Sequence, residues 1–288
     1  MSNQLHYAEK LSRESASPID ANQLANRWRT AARVYRELEQ SEAGLVDDVN
    51  VKPLTGLAAR HIERVIETRA VRETFNTVPV AFGLVPLDRL IVSQYSITQR
   101  SVAGICSAFA KRPTVLEMAR LCLPLQPRFP DLRLVYRSER EYVFVSDAHD
   151  MRFLGSSALT ADQIDASTLP GHPGGVVALG VGFSTNLLNV VRFGQRIVLN
   201  NGHHRAFALL SMGVTHAPCL IQVCEFGSEI NEAANEEICE NHDLYFEAPR
   251  PPLLVDFLRP ELTYSMPSPR LRRQVTVKVD IQSRLVST

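Results

Sequence analysis

The residues of this chain best suited to chemistry lie at positions 200–205, in the run Asn-Asn-Gly-His-His-Arg. The apolar run Ile197–Leu199 precedes them and indicates a strand, and the Ala/Leu-rich segment that follows favours a helix. Gly202 permits the positive φ that a tight turn needs, and Asn200 or Asn201 is suited to cap the helix. Free backbone N–H groups, one guanidinium and two imidazoles would then meet at a helix N-terminus. This combination predicts an anion site, and we expect the anion to be a phosphate.

The side chains of this turn have separate expected roles. Arg205 can form a two-pronged hydrogen bond with phosphate oxygens, whereas His203 and His204 can donate hydrogen bonds or accept a proton. If the chain is an enzyme, His204 is the candidate catalytic residue because it could donate a proton to a leaving oxygen. The alternative is that both histidines are surface residues beside an ordinary helix cap, with Arg205 paired to an acid.

Other clusters have simpler interpretations than a site. The run Asp147–Asp150, which also contains a histidine, follows a predicted strand and could hold a divalent cation, but acidic turns after strands are common. Glu236 and Glu240, near Glu237, would share one face of a helix, and a solvated face is the simpler interpretation. The glycine-rich composition of Gly171–Gly175 indicates a flexible connector. The sequence therefore assigns no metal ligand.

Composition limits the function classes. The 288 residues include 31 basic and 31 acidic side chains, so no overall field favours nucleic acid or a membrane surface. The basic residues between Arg270 and Arg284 fit the solvent face of an edge strand, with a nucleic-acid contact as the alternative. The five cysteines lack any metal-like spacing and fit a reducing compartment. Without a signal-peptide pattern or a membrane-length apolar run, we expect a soluble, cytoplasmic protein and no membrane partner.

The N-terminal part predicts two helices. Apolar residues from Leu24 to Leu38 recur at 4,3,4,3 spacing, which is typical of a narrow helical seam in a helix that begins near Ser17. A second helix is expected from Thr55 to Phe75. The pair would form a helical arm, residues 1–77, that covers the core. The alternative is an arm that binds a protein partner or a second copy of the chain.

From residue 78 the pattern mixes short strands and helices. We expect strands at 85–92, 132–136, 142–145, 176–183, 195–199, 217–223 and 274–281, and helices at 101–110, 114–122, 203–212 and 228–241. Residues 155–175 favour a loop with one helical turn at 161–164, and the proline-rich stretch 249–269 favours an extended connector. The sequence thus predicts an α+β fold with its core at 78–248, followed at 249–288 by a connector and a C-terminal edge strand.

The order of these elements around the turn resembles a known superfamily. A strand, the Asn-Gly-His-His-Arg turn, an Ala/Leu-rich helix, Gly213 and a strand from Ala217 resemble the ParB/sulfiredoxin superfamily, and Val85–Ile91 is similar to its opening strand. The resemblance implies a small mixed sheet carrying the N-terminal arm. It implies that a phosphorylated small ligand or a nucleotide triphosphate with Mg²⁺ binds at the turn, through Asn201, Gly202, His203, His204 and Arg205. A Mg²⁺-dependent nucleotide hydrolase or phosphotransferase is the activity that it implies.

The chain also departs from that superfamily. His203 stands where sulfiredoxins carry a cysteine, so their reductase chemistry is not expected. Partition proteins have an acidic–arginine pair in place of His203 and His204 and add a helix-turn-helix, which residues 228–288 do not predict. Asn201 stands where related motifs often carry Asp, which removes a candidate carboxylate. The prediction is a nucleotide- or phosphate-binding protein, with a non-catalytic adaptor or a DNA-associated ParB-like protein as alternatives; whether it is an enzyme stays open.

Overall fold

The computed structural model describes residues 20–109, 111–126, 129–148, 151–160, 163, 175–183, 185–267 and 272–285. The helices are α1 (Ala21–Ser41), α2 (Gly56–Ile66), α3 (Arg69–Thr74), α4 (Gln99–Ser107), α5 (Val115–Cys122), α6 (His203–Ser211), α7 (Gly227–Ala233), α8 (Glu236–Glu240) and α9 (His242–Phe246). The strands are β1 (Val80–Pro86), β2 (Ile91–Val92), β3 (Leu132–Arg137), β4 (Glu141–Ser146), β5 (Met151–Leu159), β6 (Val176–Phe183), β7 (Asn189–Phe193), β8 (Arg196–Asn201), β9 (His216–Cys224) and β10 (Arg273–Lys278). Helices together with a mixed sheet confirm the α+β fold class. No helix in these ranges combines the length and apolar character that crossing a bilayer requires.

The chain divides into two compact units. One contains residues 1–126 and 185–269, and the other contains residues 127–184 and 270–288. An internal segment and the C-terminal segment thus form the second unit together. The bounds of these two units differ from the bounds of the three segments predicted from the sequence, which are 1–77, 78–248 and 249–288.

The first unit is built on a mixed sheet with the strand order β1-β9-β7-β8-β2. Strands β1 and β9 are antiparallel, β9 and β7 parallel, β7 and β8 antiparallel, and β8 and β2 parallel. Both faces are covered. On β8, Ile197 and Leu199 pack in one apolar cluster and Val198 packs in the other. This explains why β8 is a continuous apolar run rather than an alternating one.

Helices cover the two faces of this sheet separately. The cluster that contains Leu199 includes Ile62 of α2, Met118 of α5 and Leu209 of α6. The cluster that contains Val198 includes side chains of α7, α8 and α9: Ile230, Ala233, Ile238, Tyr245 and Phe246. Strand β7, which the sequence analysis did not predict, lies between β9 and β8.

Two predicted helices are each broken by a capping residue. The helix expected from Thr55 to Phe75 is α2 followed by α3, because the Thr68 side chain accepts the N–H of Val71 and starts a new helix. The helix expected at 228–241 is α7 followed by α8, which Asn235 caps in the same way. The strand expected at 85–92 is likewise two strands, β1 and β2.

The proline-rich stretch was wrongly predicted to be an extended connector. Within it, Leu254–Leu258 form a 3₁₀ helix, and Leu253 and Leu254 are fully buried. The hydroxyl of Tyr35 on α1 donates to the carbonyl of Arg250 at 2.6 Å. The stretch is therefore packed into the first unit, and α1 packs against its own chain there.

The second unit consists of two small sheets. The predicted β3–β4 hairpin is confirmed, and β10 pairs with the other side of β4 as the predicted edge strand. Strand β5 pairs with β6, so the expectation of a loop from residue 155 is wrong for residues 155–159. Most of the helical turn predicted at 161–164, and residues 171–174 of the predicted connector, lie outside the described residues.

Candidate functional site

A cleft of about 350 Å³ opens where β2 and β8 end. The two strands are parallel neighbours, so their carboxyl ends leave the sheet at the same edge, where α/β proteins commonly bind ligands. The lining comes from the loop after β2, the end of β8, and the starts of α6 and α8. Its residues are Ser93, Gln94, Tyr95, Ser96, Asn200, Asn201, His203, Asn235 and Glu237.

The predicted turn has the positive φ that its sequence indicated, but the expected asparagine cap is wrong: Gly202 is the N-cap residue, and no side-chain hydrogen bond caps α6 among the described residues. Gly202 has φ of +99°, and α6 begins at His203. A Cβ atom at this position would lie 3.0 Å from Cγ of Leu188 and 3.1 Å from its Cα, so a side chain would crowd Leu188 in addition to straining the positive φ. The N–H of Ala206 donates to the Gly202 carbonyl at 2.9 Å. Since this is the first bond of the helix, the N–H groups of residues 203–205 have no acceptor within it.

His203 is the histidine of this turn that lines the cleft. Its side chain is buried, with 6% of the residue exposed, and its Nε2 has no hydrogen-bond partner among the described residues. Burial, together with the neighbouring His204, lowers the pKa of His203 to about 3, so the imidazole is neutral at physiological pH. A buried ring nitrogen without a partner is costly to the fold. Such an atom at a cleft wall is a candidate contact for a ligand.

His204 and Arg205 make their contacts elsewhere. Nε2 of His204 accepts a hydrogen bond from the N–H of Thr98, the residue that precedes α4, at 3.0 Å. Nη1 of Arg205 donates to the carbonyls of residues 121, 122 and 186, and its Nη2 donates to Oδ1 of Asn186 at 2.9 Å. Neither side chain lines the cleft in the part of the chain that the structure describes. Of the five predicted residues, Asn201 and His203 meet there.

Glu237, which the sequence analysis assigned with its neighbours to a solvated helix face, lines this cleft. Its Oε1 accepts hydrogen bonds from the Tyr95 hydroxyl, from the Tyr245 hydroxyl at 3.0 Å and from Nδ2 of Asn241 at 3.1 Å. Burial and the hydrogen bond to Glu237 raise the pKa of Tyr95 to about 12, so this hydroxyl remains a donor. None of these bonds reaches Oε2. The structure thus places one oriented carboxylate in the cleft.

The acidic helix face was predicted correctly except at this position. Glu236 and Glu240 are exposed, as expected of a solvated face, whereas Glu237 is half-buried. One local signal was available, because Asn241 lies four residues after Glu237 and can reach it on a helical surface. The two tyrosines come from other elements, and no spacing in the sequence joins them to Glu237.

The polar wall of the cleft is held by bonds to the main chain. Nδ2 of Asn200 donates to the carbonyl of Ala233 at 3.0 Å, and Nδ2 of Asn201 donates to that of Leu187 at 3.1 Å. The Ser93 hydroxyl donates to the Leu199 carbonyl at 3.2 Å. These bonds fix the side chains before any ligand arrives, which lowers the entropic cost of binding.

Two further groups of potential ligands, at Asp147 and at His242, are not among the described residues that line this cleft. Oδ1 of Asp147 accepts a hydrogen bond from Nε of Arg272 at 2.8 Å, while His149 and Asp150 lie outside the described residues. His242, Asp243 and Glu247 bring potential ligand atoms within 4.8 Å of one another, and both acids are exposed. Exposed acids of this kind are common without a metal.

Comparisons with protein-family models, with curated proteins and with solved structures gave no match. The resemblance to the ParB/sulfiredoxin superfamily therefore stays a prediction.

Proposed function

We propose that this chain binds a phosphate-bearing small molecule of the nucleotide class in the cleft at α6. The observation that carries the proposal is the unpartnered, buried Nε2 of His203. It belongs to the first residue of α6, and the positive end of the helix dipole there favours an anion. A neutral imidazole protonated at Nε2 can donate to a phosphate oxygen without placing a charge in the buried site.

Arg205 has a different role in this proposal from the one that its sequence suggested. Its guanidinium donates to main-chain carbonyls and to the Asn186 amide, so it holds the turn that forms the phosphate site. His203, rather than His204, is the histidine that contacts the ligand. His204 fixes the loop before α4 through Thr98.

The cleft also fits the Mg²⁺ that a nucleotide carries. Mg²⁺ in nucleotide sites is usually held by one or two carboxylates together with phosphate oxygens. Glu237 would be the protein ligand. Three donors hold its Oε1, as carboxylates that bind metals are generally held, and Oε2 would contact the ion. When bound, the ion would neutralise phosphate charge beside Glu237 and polarise a phosphoryl oxygen.

Ligand binding can be tested by calorimetry and by thermal shift, with inorganic phosphate, pyrophosphate, ADP, ATP, CTP and GTP, each with and without Mg²⁺. We expect at least one of these ligands to raise the Tm of the wild type. His203→Phe keeps a ring but removes Nε2, and we expect at least tenfold weaker binding. His203→Gln places an amide nitrogen near the position of Nε2 and should recover part of the affinity.

Two further variants complete this test. Glu237→Gln removes the charge and should weaken the Mg²⁺-dependent part of binding. His216→Gln, at the start of β9 and outside the cleft lining, is the matched control and should bind like the wild type. The proposal is wrong if none of the ligands binds, or if His203→Phe binds all of them as tightly as the wild type.

A second candidate function, a non-catalytic interaction protein, is supported by the second unit. Its edge strand β3 exposes Leu134, Val135 and Tyr136. Exposed apolar residues on an unpaired strand edge are suited to pair with another chain. Sedimentation at increasing protein concentration tests this function, and Val135→Lys should abolish any association that is seen.

A further inference from the structure

We infer that the cleft takes the phosphate and the sugar of its ligand and leaves the base outside. The inference rests on the proposed function and adds to it the class of ligand, a ribose phosphate whose base is not recognised. It follows from the chemistry of the lining residues, from the way they are fixed and from the size of the cleft.

The lining is made almost entirely of uncharged hydrogen-bonding side chains. Besides His203 and Glu237, it contains serine hydroxyls, carboxamides and one tyrosine: Ser93, Gln94, Tyr95, Ser96, Asn200, Asn201 and Asn235. Among the described lining residues there is no aliphatic side chain. Carboxamides and hydroxyls both donate and accept, which matches the hydroxyl groups of a sugar. A base gains most of its binding energy from stacking on apolar or aromatic faces, which the described lining offers at Tyr95 and at the buried ring of His203 alone.

The polar wall is also rigid enough to recognise a fixed pattern of hydroxyl groups. Asn200 and Asn201 each donate to a main-chain carbonyl, and Nε2 of Gln94 donates to the carbonyl of Ser96. The positions of their remaining polar atoms are therefore set by the fold. A site of this kind binds a ligand that lacks one hydroxyl more weakly, because one hydrogen bond of the wall is then lost.

The volume of the cleft agrees with a small ligand fragment. Small-molecule sites span roughly 300–1,000 Å³, and a cleft of about 350 Å³ lies at the lower end of that range. With the phosphate at the N-terminus of α6, the sugar would occupy the part of the cleft that Glu237 lines. The base would then extend toward solvent.

Calorimetry on the full chain in the presence of Mg²⁺ tests the inference with a series of phosphate esters. The series is ribose 5-phosphate, 2-deoxyribose 5-phosphate, AMP, CMP, GMP and UMP, with inorganic phosphate as the reference. We expect the four nucleotides to bind within about threefold of one another, and ribose 5-phosphate within about tenfold of AMP. The 2-deoxy compound should bind about fivefold more weakly, as the loss of one ordinary hydrogen bond predicts.

One pair of variants tests the sugar wall directly. Gln94→Met removes the amide at similar length and should weaken ribose 5-phosphate about fivefold while leaving inorganic phosphate unchanged. Gln99→Met, on α4 and outside the lining, is the matched control and should change neither.

Each outcome separates this inference from the proposed function. A preference of more than tenfold for one base, or AMP binding over a hundredfold tighter than ribose 5-phosphate, would mean that the base is recognised, and the inference is overturned. Equal affinity for the ribose and deoxyribose esters also overturns it, while binding through His203 would still support the proposed function. If no phosphate compound binds, both are wrong.

Discussion

Asn235 donates two hydrogen bonds to Asn200. Its main-chain N–H donates to Oδ1 of Asn200 at 2.9 Å, and its Nδ2 donates to the Asn200 carbonyl at 3.2 Å. The Oδ1 of Asn235 accepts the N–H of Ile238 at 3.1 Å and so caps α8. One residue thus joins the end of β8 to the start of α8. This connection brings Glu237, two residues later, to the cleft that α6 borders.

Asn235→Ala should therefore affect both stability and the site. It removes a helix cap and the hydrogen bond from Nδ2 of Asn235 to the Asn200 carbonyl, which together should lower the free energy of unfolding by about 1–3 kcal/mol. Glu237 would lose its fixed position, so Mg²⁺-dependent binding should weaken as well. Urea unfolding measures the first effect and calorimetry the second. Asn22→Ala, at an exposed position of α1, is the control, and an equal change in both variants would contradict the prediction.

A pH-dependent stability is expected from His203. The unfolded chain takes up a proton on this imidazole near pH 6.5, whereas the folded chain does so only near pH 3. The free energy of unfolding therefore has its full value, as far as this ring is concerned, above pH 6.5. It falls as the pH is lowered toward 3, because the unfolded chain then binds a proton that the folded chain does not. The free energy of unfolding should drop by up to about 1.4 kcal/mol per pH unit in that window from this group alone.

His203→Phe isolates this contribution. The variant cannot bind the proton, so its stability should fall less steeply between pH 6.5 and 4.5 than that of the wild type. At pH 7.5 it should be at least as stable, because a buried nitrogen without a partner has been removed. Urea unfolding of both proteins at four pH values gives the comparison. Parallel curves would show that the imidazole of the wild type is not held neutral by the fold.

The turn at Gly202 shows which features of the site local sequence signals can predict. A β-branched run, one glycine and an Ala/Leu-rich segment predict β8, Gly202 and α6 correctly, because these signals act within a few residues. The same pattern cannot say which of two adjacent histidines enters the cleft. That choice depends on which face of α6 enters the apolar core, as Leu209 does, and on Leu188, which lies beside Gly202.

The partners of the turn are set by packing at long range. Arg205 is bound by the end of α5 and by Asn186, and Glu237 is bound by Tyr95, which lies 142 positions earlier in the chain. No periodicity connects such positions. The prediction of two continuous helices was wrong for a different reason. Thr68 and Asn235 are caps that interrupt an otherwise helical pattern.

Gly202→Ala should be more costly than an ordinary glycine substitution. The positive φ alone disfavours alanine by about 1–2 kcal/mol, and the new Cβ would also approach the Cα of Leu188 to 3.1 Å. Gly213→Ala is the matched control, because Gly213 has φ of +77° and no atom within 4 Å of the added Cβ. The difference between the two losses of stability reports the contact with Leu188. If both variants lose the same amount, the turn can move away from Leu188 without cost.

Arg205→Met tests whether this arginine supports the turn. The substitution removes the Arg205 hydrogen bonds to the end of α5 and to Asn186, so we expect the ligand-free protein to lose about 2–4 kcal/mol of stability. Arg100→Met, at an exposed position of α4, should change stability by less than about 0.5 kcal/mol. Chemical denaturation without ligand is the measurement. An unchanged stability combined with lost phosphate binding would instead support the direct contact that the sequence suggested.

A buried ion cluster ties α1 to the proline-rich stretch. Arg250 is almost completely buried and donates to Glu42 at 2.9 Å and, in a two-pronged arrangement, to Asp256. Arg259 donates to the other oxygen of Glu42 at 2.6 Å. Burial acts to raise the pKa of Glu42, but the hydrogen bonds from Arg259 and Arg250 outweigh it and lower the pKa below the ordinary value of 4.5. The ionised Glu42 therefore adds to the free energy of unfolding at neutral pH, and this addition is lost as the pH falls below 4.5 and the carboxyl takes up a proton.

Arg250→Met should destabilise the first unit strongly. The variant keeps the side-chain volume but removes the buried cation between Glu42 and Asp256 and leaves them only the partly exposed Arg259. Removal of one partner from a buried ion pair typically costs about 3–5 kcal/mol. Arg69→Met is the matched control, since Arg69 pairs with Glu73 on the exposed surface of α3 and should cost less than about 1 kcal/mol. Urea unfolding at pH 7 compares the two variants. Because Arg250 lies in the stretch that the sequence suggested was a connector, a small effect would mean that this stretch contributes little to the fold despite its burial.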